Sequence, residues 1–348
     1  MKIKKAVSIV LSLAMTVQML SVSAFAVDNK GELPEMAQVV IGQNDFGEVK
    51  ETRTLYDAND DEVAVCLDFD SAYLIYLNNG VVIEYSSEEN SDYFGSEEKA
   101  YYGGPLAYYK QEKSHYVDIV SDEIVSEETF EKQSDTIQKV EVPDNNSKSS
   151  VSMMKTALPS DEEAIMLPYR LRLLDYNRKG TCVALATTIM LFYYYDHVST
   201  DYIKNPFFVQ NPKALHDFLV SRYFQPVNGE YGQTISESLF ETNKFFYDQN
   251  IDNSAKFTYY SGNSIYGQVF HNIVDRKRPI IMYLHENSES LSEWAINHAV
   301  IVHGITSSSV YGQRGYAFYY VNDGAGHNSK AIFDSSAYIT GFLWYTKL

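Results

Sequence analysis

An α+β fold is predicted by three observations. In the second half of the chain, helix-compatible runs come first and strand-like runs follow, the segregation expected of an α+β domain. The front part instead carries short β runs separated by turn residues. A polar stretch at 119–160 divides the two.

The N-terminus is set aside before the fold is considered. Met1-Lys2-Ile3-Lys4-Lys5 is followed by an apolar run from Ala6 to Leu20 and then by Ala24-Phe25-Ala26. A basic start, a short apolar core and an A-x-A pattern describe a secretory signal peptide, residues 1–26, cut after Ala26. The expected location is therefore secreted, or extracellular, with no stable membrane insertion once the signal is removed. No later segment reaches the roughly 18 apolar residues of a membrane span.

Residues 27–118 are read as a β-rich domain. Val63, Val65, Leu67 and Phe69 alternate, as on one face of a strand. Tyr73–Leu77 and Val81–Tyr85 flank Asn78-Asn79-Gly80, and Asn-Gly between two such runs signals a hairpin. Residues 119–160 are rich in Ser, Asp, Glu, Lys and Gln, a linker composition with too little apolar content to offset ordering entropy. Residues 161–348 are long enough for one sizeable core. Cys182 to about Tyr195 is the most apolar helix, and Pro212–Arg222 and Ile235–Gln249 are amphipathic candidates. Pro279–Leu284, Ala299–Ile305, Tyr316–Val321 and Ala337–Thr346 read as strands.

The formal net charge is −18, and the signal segment carries Lys2, Lys4 and Lys5 but no acid, so the mature chain is more acidic still. Such a surface argues against nucleic acid as a partner, because that partner requires Lys/Arg patches. Two cysteines, Cys66 and Cys182, are too few for a disulfide scaffold; a bridge between them is the alternative to one structural and one reactive thiol. No zinc or phosphate-loop pattern is present. Asp57-Ala58-Asn59-Asp60-Asp61 starts like a calcium loop, but Glu62 stands where the glycine belongs and Asp68 where the closing glutamate belongs. No metal or cofactor is expected.

Cys182 carries the chemistry. Gly180-Thr181-Cys182 opens an apolar helix, and a helix N-terminus lowers a thiol pKa. Ala184 and Ala186 would let that helix approach a sheet closely. His298 opens a strand-like run, where a histidine can face a cleft as general base. His303 lies five positions on, an odd separation that puts it on the opposite face of a straight strand, and so in a structural role. Asn322 follows the next strand and can orient the imidazole; Asp323 competes for that task, since a carboxylate can do the same. Asn177, five residues before Cys182, is the side-chain candidate for an oxyanion donor.

Asn297-His298-Ala299-Val300 followed by Val321-Asn322-Asp323-Gly324 resembles the histidine strand and asparagine turn of papain-like cysteine peptidases, and the Cys, His, Asn order agrees. The helix motif is more similar to compact bacterial branches: streptopain-like peptidases and those that trim bacteriocin leaders. Asp68-Phe69-Asp70 to Glu84-Tyr85 and the Tyr-Tyr-Gly-Gly-Pro turn also resemble the β-rich propeptide of the streptopain group. Cys182-Val183, Tyr176 at the usual glutamine position and Ala325 at the usual tryptophan position depart from the pattern. The resemblance implies a papain-like catalytic domain, with N-terminal helices and a C-terminal antiparallel sheet, preceded by a small propeptide-like domain. It further implies a secreted thiol peptidase made as a zymogen, with Cys182, His298 and Asn322 catalytic. Its partners would be a peptide or protein substrate and its own propeptide-like domain. The alternatives are a catalytically inactive binding protein on the same fold, or a thiol enzyme acting on cell-wall peptides.

Overall fold

The computed structural model describes residues 33–120, 122, 124–141, 164–174, 180–225, 234–260, 268–284, 298–310 and 313–347. The signal segment, residues 142–163 of the linker region and Asn177 lie outside these.

In chain order the elements are α1 (Glu35–Asn44), β1 (Glu51–Tyr56), β2 (Glu62–Asp68), β3 (Tyr73–Leu77), β4 (Val82–Ser86), β5 (Ala100–Gly104), β6 (Ala107–Glu112), β7 (His115–Asp118), β8 (Ile124–Val125) and α2 (Glu127–Ile137). There follow β9 (Ile165–Met166), α3 (Cys182–His197), α4 (Pro206–Gln210), α5 (Pro212–Arg222), α6 (Ile235–Asp248), β10 (Ala255–Tyr259), β11 (Ile280–Leu284), β12 (His298–Val310), β13 (Gln313–Asn322), β14 (Lys330–Phe333) and β15 (Ile339–Tyr345). The fold is α+β, with one large mixed sheet ordered β10-β15-β11-β12-β13-β14-β4-β3-β2-β1-β5-β6-β7-β8. Among the described residues, β1 and β5 are the one parallel pair along that path.

The sheet runs through the division that composition suggests. β14 pairs antiparallel with β4, Lys330 opposite Ser86 and Ile332 opposite Glu84. Tyr85 seals the seam: its ring meets Phe318 at 5.0 Å and its hydroxyl lies 3.0 Å from that of Tyr320. β14 is only four residues long, too short for a periodicity signal, yet it joins the front region (33–141) to the rear region (164–347).

The Asn78-Asn79-Gly80 hairpin forms as expected, with Gly80 at φ +87° and its N–H bonded to Leu77 O at 2.8 Å. The face of β2 differs from expectation. Ala64 and Cys66 are fully buried while Val63 and Val65 are half-buried. β2 lies between β1 and β3 in the sheet, and its residues are buried without alternation only from Cys66 to Asp68.

The linker assignment also needs correction over residues 124–141. Ser126 caps α2 by accepting from Thr129 N–H at 3.1 Å, with Glu127 and Glu128 in the first turn. The helix docks chiefly through Phe130, whose ring centroid lies 4.6 Å from Tyr116 and 5.0 Å from Tyr109. One phenylalanine set among tyrosines does not alter the composition of a polar stretch, which is why the helix escaped notice.

In the rear region α3 is buried from Cys182 to Tyr194, as a helix apolar on all sides must be. The helices at Pro212–Arg222 and Ile235–Asp248 and the four expected strands all form. A capping box starts α6, with Thr234 and Glu237 each satisfying the other's backbone N–H. β12 pairs with β11 on one side and β13 on the other, so the rear core sits between α3 and the middle of the sheet.

Candidate active site

Gly180 at φ +62° makes the turn into α3, and Leu185 N–H closes the first helical hydrogen bond on Thr181 O at 2.9 Å. Cys182 therefore stands in the first turn, where unpaired backbone N–H groups and the helix dipole favour an anion. Neither Cys182 nor Cys66 is in a disulfide, and both are buried. Cys182 lines a crevice with Leu185, Ala186, Ile189, Ala299, Ile301 and the turn Asn322–Gly324, too narrow to admit a water molecule. Ala186 lets the helix approach, and Gly324 completes the fit. At φ +79° Gly324 holds a conformation that side chains rarely adopt, and a Cβ there would stand 3.0 Å from Leu185 Cδ2.

The turn after β13 is fixed by its own side chains. Asn322 Oδ1 accepts from Gly324 N–H at 3.1 Å, and its amide donates to Asn328 Oδ1. Asp323 Oδ1 accepts from Ala325 N–H at 2.8 Å and from His327 N–H at 3.3 Å. Its Oδ2 pairs with His327 Nδ1 at 3.0 Å and Lys330 Nζ at 3.4 Å. Burial alone would raise the Asp323 pKa, but His327 and Lys330 outweigh it and hold the carboxyl well below the usual range.

His298 is half-buried at the first position of β12. Its ring donates to the backbone carbonyl of Asp323. Desolvation lowers its pKa, Asp323 and Asp118 oppose that, and Lys330 adds to it. Ala299 and Ile301 line the crevice with Cys182, and His298, one position before Ala299, lies within the electrostatic reach of Asp323, Asp118 and Lys330. Cys182 and His298 both reach the Asn322–Gly324 turn.

Asn322 is 1% exposed and its side chain bonds Gly324 and Asn328, while the Asp323 backbone carbonyl is an acceptor for the His298 ring. His303 is 8% exposed; it sits in a β-bulge between Val302 and Gly304 and bonds Asn328 O through Nε2 at 2.9 Å. Burial pushes its pKa down to about 4. Asn177 lies outside the described residues.

Sequence reasoning missed the charged cluster beyond the turn. Lys330, 2% exposed, reaches Asp92 Oδ2 at 3.2 Å as well as Asp323. His327 Nε2 lies 3.4 Å from Glu89 Oε2, and Glu89 also accepts from Ser329 at 2.9 Å. The available signal was the placing of His327 and Lys330 four and seven residues after Asp323 in one short loop. Their partners are about 240 residues away in sequence and gave no local cue. Among the described residues no group of three or more His, Cys, Asp or Glu is placed to hold a metal ion, and no helix is long and apolar enough to cross a membrane. The chain matches no protein-family model and no curated protein sequence.

Proposed function

We propose that the chain is a secreted cysteine peptidase made as a zymogen, with Cys182 as nucleophile and His298 as base. The observation that carries this is the meeting of the two at one turn. Cys182 lies in the first turn of α3 against Asn322–Gly324, and His298 is bonded to the Asp323 carbonyl in that same turn.

In the reaction, Cys182 Sγ as thiolate attacks the carbonyl carbon of a peptide bond. The C–N bond then breaks as imidazolium His298 gives its proton to the leaving amine. Water attacks the thioester, His298 accepts its proton, the C–S bond breaks and the acid product leaves. For this the crevice must widen to admit a carbonyl. A closed crevice fits a latent form.

The test uses the full chain and its Cys182→Ala variant. Expected are labelling of Cys182 by an active-site thiol reagent and self-processing between about Lys148 and Leu158 in the wild type only. A Cys182 that stays inert after the chain is cut in that interval would overturn the assignment. It would favour a binding protein on the same scaffold, the reading to which the tight crevice also lends weight. Equal processing of both forms by an added protease would place maturation in trans. Labelling together with turnover of cell-wall peptides in place of proteins would move the substrate class and keep the nucleophile.

A further inference from the structure

The turn that holds His298 is not built by the rear region alone. Asp323 is gripped by Lys330 and His327, both from the rear region. Each of those side chains is in turn held by an acid of the front region, Lys330 by Asp92 at 3.2 Å and His327 by Glu89 at 3.4 Å. The front region encloses Lys330 further. The ammonium lies 5.0 Å over the Tyr108 ring, and Glu84 adds to the negative field around it. Glu84 is itself buried, accepting from the Tyr73 and Tyr108 hydroxyls and from Leu106 N–H at 3.1 Å. Ser86 and Ser329 bridge the same seam at 2.9 Å.

We propose that Asp92 and Glu89 are positioning residues for His298, acting through Lys330 and His327 on Asp323. The front region then supplies Asp92 and Glu89 to the charges that set the turn, so its departure would change the base. The physical reason is that a buried cation needs compensation. When Asp92 is present, Lys330 is shared between two carboxylates. When it is absent, Lys330 has Asp323 as its nearest acid. The carboxylate then shifts toward the ammonium and moves the carbonyl that accepts from His298. Asp118, the other acid facing His298, belongs to β7 of the same front region.

This rests on His298 being the base, and the experiment separates the two questions. The full-length chain is labelled at histidine carbon, and His298 is titrated by NMR, a readout that requires no turnover. Asp92→Asn is expected to lower the His298 midpoint, because the Asp323 carboxylate, drawn toward Lys330, carries off the carbonyl whose hydrogen bond favours the protonated ring. Lys330→Arg, which keeps the charge, is expected to leave the midpoint near that of the wild type. In an Asp323→Asn background, which retains the Oδ1 acceptor, Asp92→Asn is expected to have no further effect. Should Asp92→Asn fail to fold, Glu89→Gln is read in its place, with the same expected direction. An equal shift in both backgrounds would mean that Asp92 acts through space alone and would overturn the positioning chain. No shift in a folded variant would reduce the cluster to a clamp between regions and would overturn it as well. If His298 titrates as expected but Cys182 is inert, the peptidase assignment fails and the positioning chain stands.

Discussion

On one side, the Asn322–Gly324 turn meets Cys182, Leu185, Ala186 and Ile301, apolar groups apart from the thiol. On the other it meets Lys330 and His327, and through them Asp92 and Glu89. The dry side can lose a polar atom without leaving a charge unpaired. The charged side cannot, because each member is a partner of the next and several are removed from water. The dry side should therefore govern chemistry, and the charged side stability and alignment.

The largest expected effect is on the dry side. Cys182→Ala should remove turnover, a loss of several orders of magnitude in rate, with little change in melting temperature. A variant with near-full peptidase activity would break the comparison. His298→Ala should be far more damaging to activity than His303→Ala, whose effect should appear as lost stability. Equal activity losses with unchanged melting would contradict the structural role of His303.

On the charged side, Lys330→Met should cost about 3 kcal/mol in unfolding free energy, because the buried Asp323 would lose its ammonium partner. Denaturant midpoints would measure this. A cost near zero would show the cluster to be well hydrated in solution.

A smaller effect, of about 3 kcal/mol, is spread over pH. His303 has a folded pKa near 4 against a reference value of 6.5. Above pH 6.5 neither state carries the proton. As pH falls from 6.5 toward 4 the unfolded chain takes up a proton that the fold excludes, and stability drops. Asp334 opposes this. Burial raises its pKa from 3.8 to about 6, so its contribution is complete below 3.8 and is lost as pH rises to 6. The two slopes nearly cancel between pH 4 and 6. In His303→Gln the His303 slope is removed, so across that window stability should fall less, or rise more, on acidification than in the wild type. An unchanged slope would show that His303 does not sit neutral in the fold.

The smallest effect lies away from both sides. Thr234→Ala removes the capping box of α6 and should cost about 1 kcal/mol, with His298 titration unmoved. A shifted titration would mean that global loosening, and not the charged chain, reaches the histidine.

Several features were legible in the sequence because their signals are local. The apolar run after Gly180-Thr181-Cys182, the Asn78-Asn79-Gly80 hairpin and the strand at His298 each follow from periodicity and turn chemistry within a few residues. The placing of Cys182 beside the turn at Asn322 was legible too, from a helix start and a strand end. Other features depended on the tertiary structure. α2 exists because Phe130 finds three tyrosines. β14 exists because β4 offers it an edge. The Asp323 carbonyl meets His298 because β12 and the turn after β13 come together. Lys330 is buried because Asp92, more than 230 residues earlier, is placed against it. Local sequence determines which hydrogen bonds a backbone segment can make. Which charges share a dry interior depends on long-range pairing, and no window of sequence contains both partners.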